Sequence, residues 1–147
     1  MSHRPSLIDR LAIALASLAI SAAIAPVAAA ASLSIKAPGR VKHGHVFKVV
    51  VKGRYRRSQL TGTAFLVIAI QPSAGACQST AQQENQVAFV NVYFHGSVPH
   101  SPFKASQKFK AVGKGSRRVC AYLYPRFITT TSGVGPIATA SKRYRTK

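Results

Sequence analysis

The chain has 147 residues, with 21 Lys plus Arg against 2 Asp plus Glu and a formal net charge of +19 with neutral histidines. Hydrophobic residues make up 47% of it, which excludes a disordered basic tail, because that much apolar material supports a packed core. The shortage of acids excludes most hydrolytic chemistry. Paired-carboxylate catalysis needs two acids in one site, and a Ser-His-acid triad needs one acid and a nucleophile turn of the Gly-x-Ser-x-Gly kind, which the chain lacks. A binding or structural role is expected rather than an enzyme, with no cofactor.

At the start, Arg4 and Arg10 precede an apolar run from Leu11 to Ile20, continued to Ile24 and followed by Pro26 and the string Ala28 to Ala31. A short basic region, an apolar stretch and small residues in alternate positions form a secretory signal peptide, so residues 1–30 are expected to be removed and 31–147 to be the folded domain. The competing reading is an uncleaved anchor, since Leu11 to Ala31 is just long enough to span a hydrocarbon layer of roughly 30 Å. Cleavage removes Arg4, Arg10 and Asp9, leaving 19 basic residues, the single acid Glu84 and a net charge of +18. The expected destination is secreted, with association to the cell envelope.

In an exported chain, two cysteines most simply form one structural disulfide, Cys77 to Cys120. Closing a loop of about 44 residues stabilises the folded state by roughly 4 kcal/mol at the upper end of the chain-entropy estimate.

Ser32 to Ala37 is expected to be a short strand closed by Pro38-Gly39. His45 to Gly53 alternates with period two, Phe47, Val49 and Val51 on one side and Lys48, Val50 and Lys52 on the other. The basic loop Arg54-Tyr55-Arg56-Arg57 leads to the wholly apolar Thr63 to Ile70, which reads as a strand covered on both faces. Gln71 to Gln86 is a long crossover with one or two helical turns expected over Ser79 to Asn85. Val87 to His95 reads as a strand. Phe103 to Val112 alternates Phe103, Ala105, Phe109 and Ala111 against Lys104, Ser106, Lys108 and Lys110. After the turn signal Gly113-Lys114-Gly115-Ser116, Arg118 to Tyr124 reads as a central antiparallel strand carrying Cys120. A loop from Pro125 to Pro136 and a last strand near Ile137 to Tyr144 complete the chain.

Seven short strands, one disulfide and little helix point to an all-β fold, an antiparallel sandwich of two sheets, with a small β-barrel as the alternative. Val119-Cys120-Ala121-Tyr122-Leu123 with the upstream Gly115 resembles the small secreted immunoglobulin-like sandwich domains of Gram-positive bacteria. The resemblance implies the architecture alone, since the chain has no Trp and carries Arg118, not tyrosine, two residues before Cys120.

That topology puts the second and fifth strands in one sheet, with Lys48, Lys52, Lys104, Lys108 and Lys110 pointing outward and Arg54, Arg56 and Arg57 extending the patch. The expected partner is an anionic cell-wall polymer or lipid headgroups. The competing reading is a solvated face whose lysines discourage strand-to-strand aggregation. Arg54-Tyr55-Arg56-Arg57 and Arg143-Tyr144-Arg145 interleave aromatics with guanidiniums, a composition suited to stacking on bases while binding phosphate, so extracellular nucleic acid is a further candidate partner. Membrane activity toward anionic lipid is another. His43-Gly44-His45 with His95 or His100 suggests a copper or zinc site only if the backbone there is extended. Turn-flanking surface histidines, with no metal, are the simpler expectation.

Overall fold

The computed structural model describes residues 30–72, 75–87, 93–129 and 133–147. All but the last residue of the expected signal peptide therefore lies outside the described residues, as does the middle of the loop before the last strand. Eight strands and one short helix follow: β1 (Ser32–Lys36), β2 (Arg40–Val41), β3 (Val46–Arg54), β4 (Phe65–Gln71), α1 (Ala81–Val87), β5 (Tyr93–Ser97), β6 (Phe103–Lys110), β7 (Gly115–Tyr124) and β8 (Ala138–Thr146). They form two sheets, ordered β1-β3-β6 and β2-β8-β7-β4-β5. Every pairing is antiparallel except β2 with β8, which is parallel. The protein is an immunoglobulin-like β-sandwich.

Alternation in β3 sets the inner face of the three-stranded sheet. Val49 and Val51 are completely buried and Phe47 nearly so, while Lys48 and Lys52 are exposed. Phe47 packs against Tyr144 of β8, ring centroids 4.9 Å apart, and against Phe109 of β6 at 6.1 Å. These aromatics join Leu66, Ile68, Val119, Ala121 and Leu123 in the main core between the sheets. Gly53 stands where Leu33 of β1 and the ring of Phe103 of β6 converge; a Cβ there would lie 2.5 Å from the Phe103 ring, so only glycine leaves the room.

β4 and β7 are buried on both faces, as the unbroken apolar run of β4 requires. Their inner residues meet the three-stranded sheet. Their outer residues are covered by the crossover between β4 and β5, where Phe65, Val67, Tyr122 and Tyr124 pack with Ala81 and Cys120 in a second, smaller core. The disulfide Cys77–Cys120 pins this cover to the central strand β7, as expected.

Helix α1 begins two residues later than the sequence suggests and takes in Val87, where the apolar pattern reads as the start of a strand; β5 is seen from Tyr93, with residues 88–92 outside the described set. The start has a local cause, since the Thr80 side chain accepts from the N–H of Gln83 at 3.2 Å and caps the helix. The Tyr124 hydroxyl accepts from the N–H of Ala81 at 2.7 Å, satisfying another free amide of the first turn. Ala81 and Glu84, one turn apart, are both buried.

Candidate functional site: a cationic sheet face

The outer face of the three-stranded sheet gathers the lysines of two strands. In the β3–β6 register, Lys48 lies directly opposite Lys108 and Lys52 directly opposite Lys104, while Val46 opposes Lys110. Side chains directly opposite each other have Cβ atoms about 4.5–5.5 Å apart, so each like-charged pair is as close as neighbouring strands allow. The two pairs lie four residues apart, roughly 13 Å along the strands. Between them runs a row of small or apolar residues, Val50 and Ser106. All five lysines are exposed.

The loop arginines are placed less uniformly. Arg54 ends β3 on the same outer side, with its Nε donating to Ser32 Oγ of β1 at 3.3 Å. Arg56 and Arg57 are exposed beyond the strand, where a 3-10 turn at Arg57–Gln59 is closed by Gln59 Oε1 accepting from the Arg56 N–H at 2.7 Å. The face therefore has five lysines on two strands, Arg54 at its end, and Arg56 and Arg57 off its edge. Sequence reasoning missed Lys36, which β1 presents on the same side, paired with Val50. The alternation Ser32, Ser34, Lys36 against Leu33, Ile35 carried that signal.

Among the described residues the only acidic side chain is Glu84, and it takes no part in this face. It is 1% exposed under the crossover. Its Oε2 accepts from the N–H of Gln78 at 2.8 Å and lies 2.8 Å from the Tyr122 hydroxyl, while Oε1 has no partner. Burial, together with the Glu84 carboxylate beside it, pushes the Tyr122 phenol far above its ordinary range. Burial also raises the Tyr124 and Tyr144 phenols, the latter partly offset by Arg117.

The aromatic platforms expected for base stacking face inward. Tyr144 is 3% exposed and packs on Phe47. Tyr55 is half-buried, its hydroxyl donating to the Val98 carbonyl at 2.6 Å and its ring 6.2 Å from that of Phe103. Both tyrosines continue the inward-facing positions of their strands, so their arginine neighbours face out and the rings do not.

The histidine pair is not extended. Lys42 to His45 forms a tight turn in which the His45 N–H donates to the Lys42 carbonyl at 3.1 Å and Gly44 adopts φ +77°. His43 Nδ1 lies 3.2 Å from the carbonyl of Gly113. Among the described residues no three His, Cys, Asp or Glu side chains gather as metal donors, and none of their helices is long and apolar enough to cross a membrane.

No protein-family model and no curated protein matches the chain. Among solved structures it is similar to the CARDB domain of PF1109 from Pyrococcus furiosus, at 12% identity over 80% of this chain and 94% of that one, with a TM-score of 0.45. It is also similar to a cohesin module from a Clostridium perfringens family 33 glycoside hydrolase, at 9% identity, 80% and 96% coverage and a TM-score of 0.41. A β-glucosidase from Listeria innocua aligns over 79% of this chain but only 16% of its own length, with 11% identity and a TM-score of 0.41.

Proposed function

We propose that the protein is a secreted, non-enzymatic, cationic sandwich that associates electrostatically with the anionic cell envelope through the outer face of its three-stranded sheet. Its ligand is an anionic wall polymer or an array of lipid headgroups. The observation that supports this reading is the register of β3 and β6, which sets Lys48 against Lys108 and Lys52 against Lys104, while Glu84, the only acidic side chain among the described residues, is buried under the crossover. Directly opposed like charges cost the fold a few tenths to about 1 kcal/mol per pair. A polyanion laid across the strands relieves both pairs and keeps its own charges in water. The disulfide fits an oxidising, extracytoplasmic compartment.

The test is a salt titration of the oxidised protein against isolated cell wall, anionic vesicles and duplex DNA in parallel. Association is expected to be reversible and to weaken as the screening length falls below about 10 Å, with wall or vesicles preferred over DNA at physiological salt. The double reversal Lys52→Glu/Lys108→Glu is expected to weaken binding more than Arg126→Glu/Arg143→Glu, which removes the same charge elsewhere. Equal losses in the two variants would show that net charge, not this face, is responsible. Equal affinity for all three partners that vanishes together with salt would refute an envelope role.

A further inference from the structure

A second basic constellation lies where β2, β8 and the β6–β7 turn meet. Arg40, Lys114, Gly115, Arg145, Thr146 and Lys147 line an open cavity of about 460 Å³. Four of these six residues are cations, and they come from three separate parts of the chain. Arg40 and Arg145 are Cα partners across the parallel β2–β8 ladder, so their side chains leave the sheet on one face from roots about 4.8 Å apart.

The backbone beneath them is firmly held. The Arg145 N–H donates to the Gly39 carbonyl at 3.0 Å, the Lys147 N–H to Val41 at 3.0 Å, and the His43 N–H to Lys147 at 2.9 Å. On the other wall, the Lys114 carbonyl accepts from Nη2 of Arg117, which lies outside the lining, at 3.4 Å. Thr146, between Arg145 and Lys147 in the chain, is 2% exposed and, like Tyr144 two residues before it, belongs to the buried side of β8.

Among the described residues no acidic side chain balances this cluster. Glu84 is bonded to Tyr122, seven residues along β7 from Gly115 and hence roughly 24 Å away on an extended strand. Two adjacent guanidiniums flanked by two ammoniums present more donors and more charge than a carboxylate, with its two oxygens and single charge, can satisfy. A tetrahedral oxyanion accepts from both forks at once. The cavity is also larger than a bare ion needs and falls in the size range of small-molecule sites, which leaves room for an esterified alcohol.

We propose that this cavity binds the phosphate group of a phosphate ester, held by Arg40 and Arg145, with Lys114 and Lys147 neutralising its remaining charge. The site belongs to the five-stranded sheet and does not depend on the lysine face.

The test is nuclear magnetic resonance of the ¹⁵N-labelled, oxidised protein at constant ionic strength, titrated with inorganic phosphate, glycerol 3-phosphate or acetate. Saturable shifts are expected at the amides of residues 40–43, 113–117 and 145–147, with both phosphates binding at least about tenfold more tightly than acetate. Arg40→Gln/Arg145→Gln should lose about tenfold or more of that affinity, while Lys52→Glu/Lys108→Glu should leave it within about twofold. Lys114→Gln/Lys147→Gln, at exposed positions, provides a second variant and should also weaken binding. Equal shifts with acetate, shifts spread evenly over the lysine face, or undiminished phosphate binding in both glutamine variants would overturn the proposal, and would do so even if the lysine face binds polymer as described above. Competition by poly(glycerol phosphate) rather than phosphatidylglycerol vesicles would place the ester on a polymer, and the reverse would place it on a lipid; either supports the cavity.

Discussion

The two outer faces of the sandwich are finished in opposite ways. The five-stranded sheet hides the outer side of β4 and β7 beneath a crossover, a helix and a disulfide, and there it buries the one acid of the described residues against the Tyr122 hydroxyl and the Gln78 amide. The three-stranded sheet leaves its outer lysines exposed among the described residues and lines them up in opposed pairs. The first arrangement adds apolar burial and a covalent tie, at the cost of an ionisable group under cover. The second adds nothing to stability and costs a little. A face that the fold tolerates at its own expense is where an external partner is to be sought.

That contrast makes separable demands on the two faces, and the largest effect belongs to the covered one. Replacing both Cys77 and Cys120 by Ala should lower unfolding free energy by about 2–4 kcal/mol, read as a shift in denaturant midpoint, while molecules that remain folded bind polyanion as before. A loss of binding at full folding would break the division between the faces. Next is Glu84→Ala, which strips the Gln78 N–H of its acceptor and should cost about 1–3 kcal/mol, again without altering affinity.

The raised phenols give a pH signature. Above the ordinary tyrosine value of 10.0, unfolded tyrosines lose their protons while Tyr122, Tyr124 and Tyr144 keep theirs in the fold. The folded state then binds more protons than the unfolded one. Stability is therefore intact below about pH 10 and falls as pH rises past it, by up to about 1.4 kcal/mol per pH unit for each buried phenol. Tyr122→Phe should flatten that fall by one phenol's share in alkaline denaturation, a comparison in which the discharge of the lysines cancels.

The smallest effect carries the sharpest contrast. The single change Lys52→Glu faces Lys104 and converts a repulsive pair into an attractive one, worth a gain of about 0.2–1 kcal/mol in thermal or denaturant unfolding, while binding to cell wall weakens. Stability and affinity moving together would mean that the lysine pairs are not an interaction surface.

Much of this arrangement is legible where the pattern is local. Period-two alternation in β3 and β6 is enough to orient Lys48, Lys52, Lys104, Lys108 and Lys110, and the unbroken apolar run of β4 announces cover on both sides. The same alternation, carried one residue past β3 and through β8, turns Tyr55 and Tyr144 inward; reading Arg-Tyr-Arg as a composition rather than a strand conceals this. β2 is two residues long, too short for any periodicity, and its parallel partner lies at the far end of the chain. The basic cavity is hidden for the same reason, since Arg40, Lys114 and Arg145 meet only through that non-local pairing. Glu84 offers little local sign of burial either, because it stands in the polar run Gln82-Gln83-Glu84-Asn85-Gln86 of a seven-residue helix.

The sequestered acid also governs how molecules would share a surface. With Glu84 inside, neighbours adsorbed side by side have no exposed acidic side chain among the described residues to offer one another, so they repel laterally over a range set by a Debye length of about 8 Å at physiological salt and about 30 Å at 0.01 M. Lowering the salt strengthens the grip of each molecule but widens the exclusion zone around it. Coverage of an anionic layer would then peak at intermediate ionic strength, whereas the affinity of an isolated molecule rises steadily as salt is withdrawn.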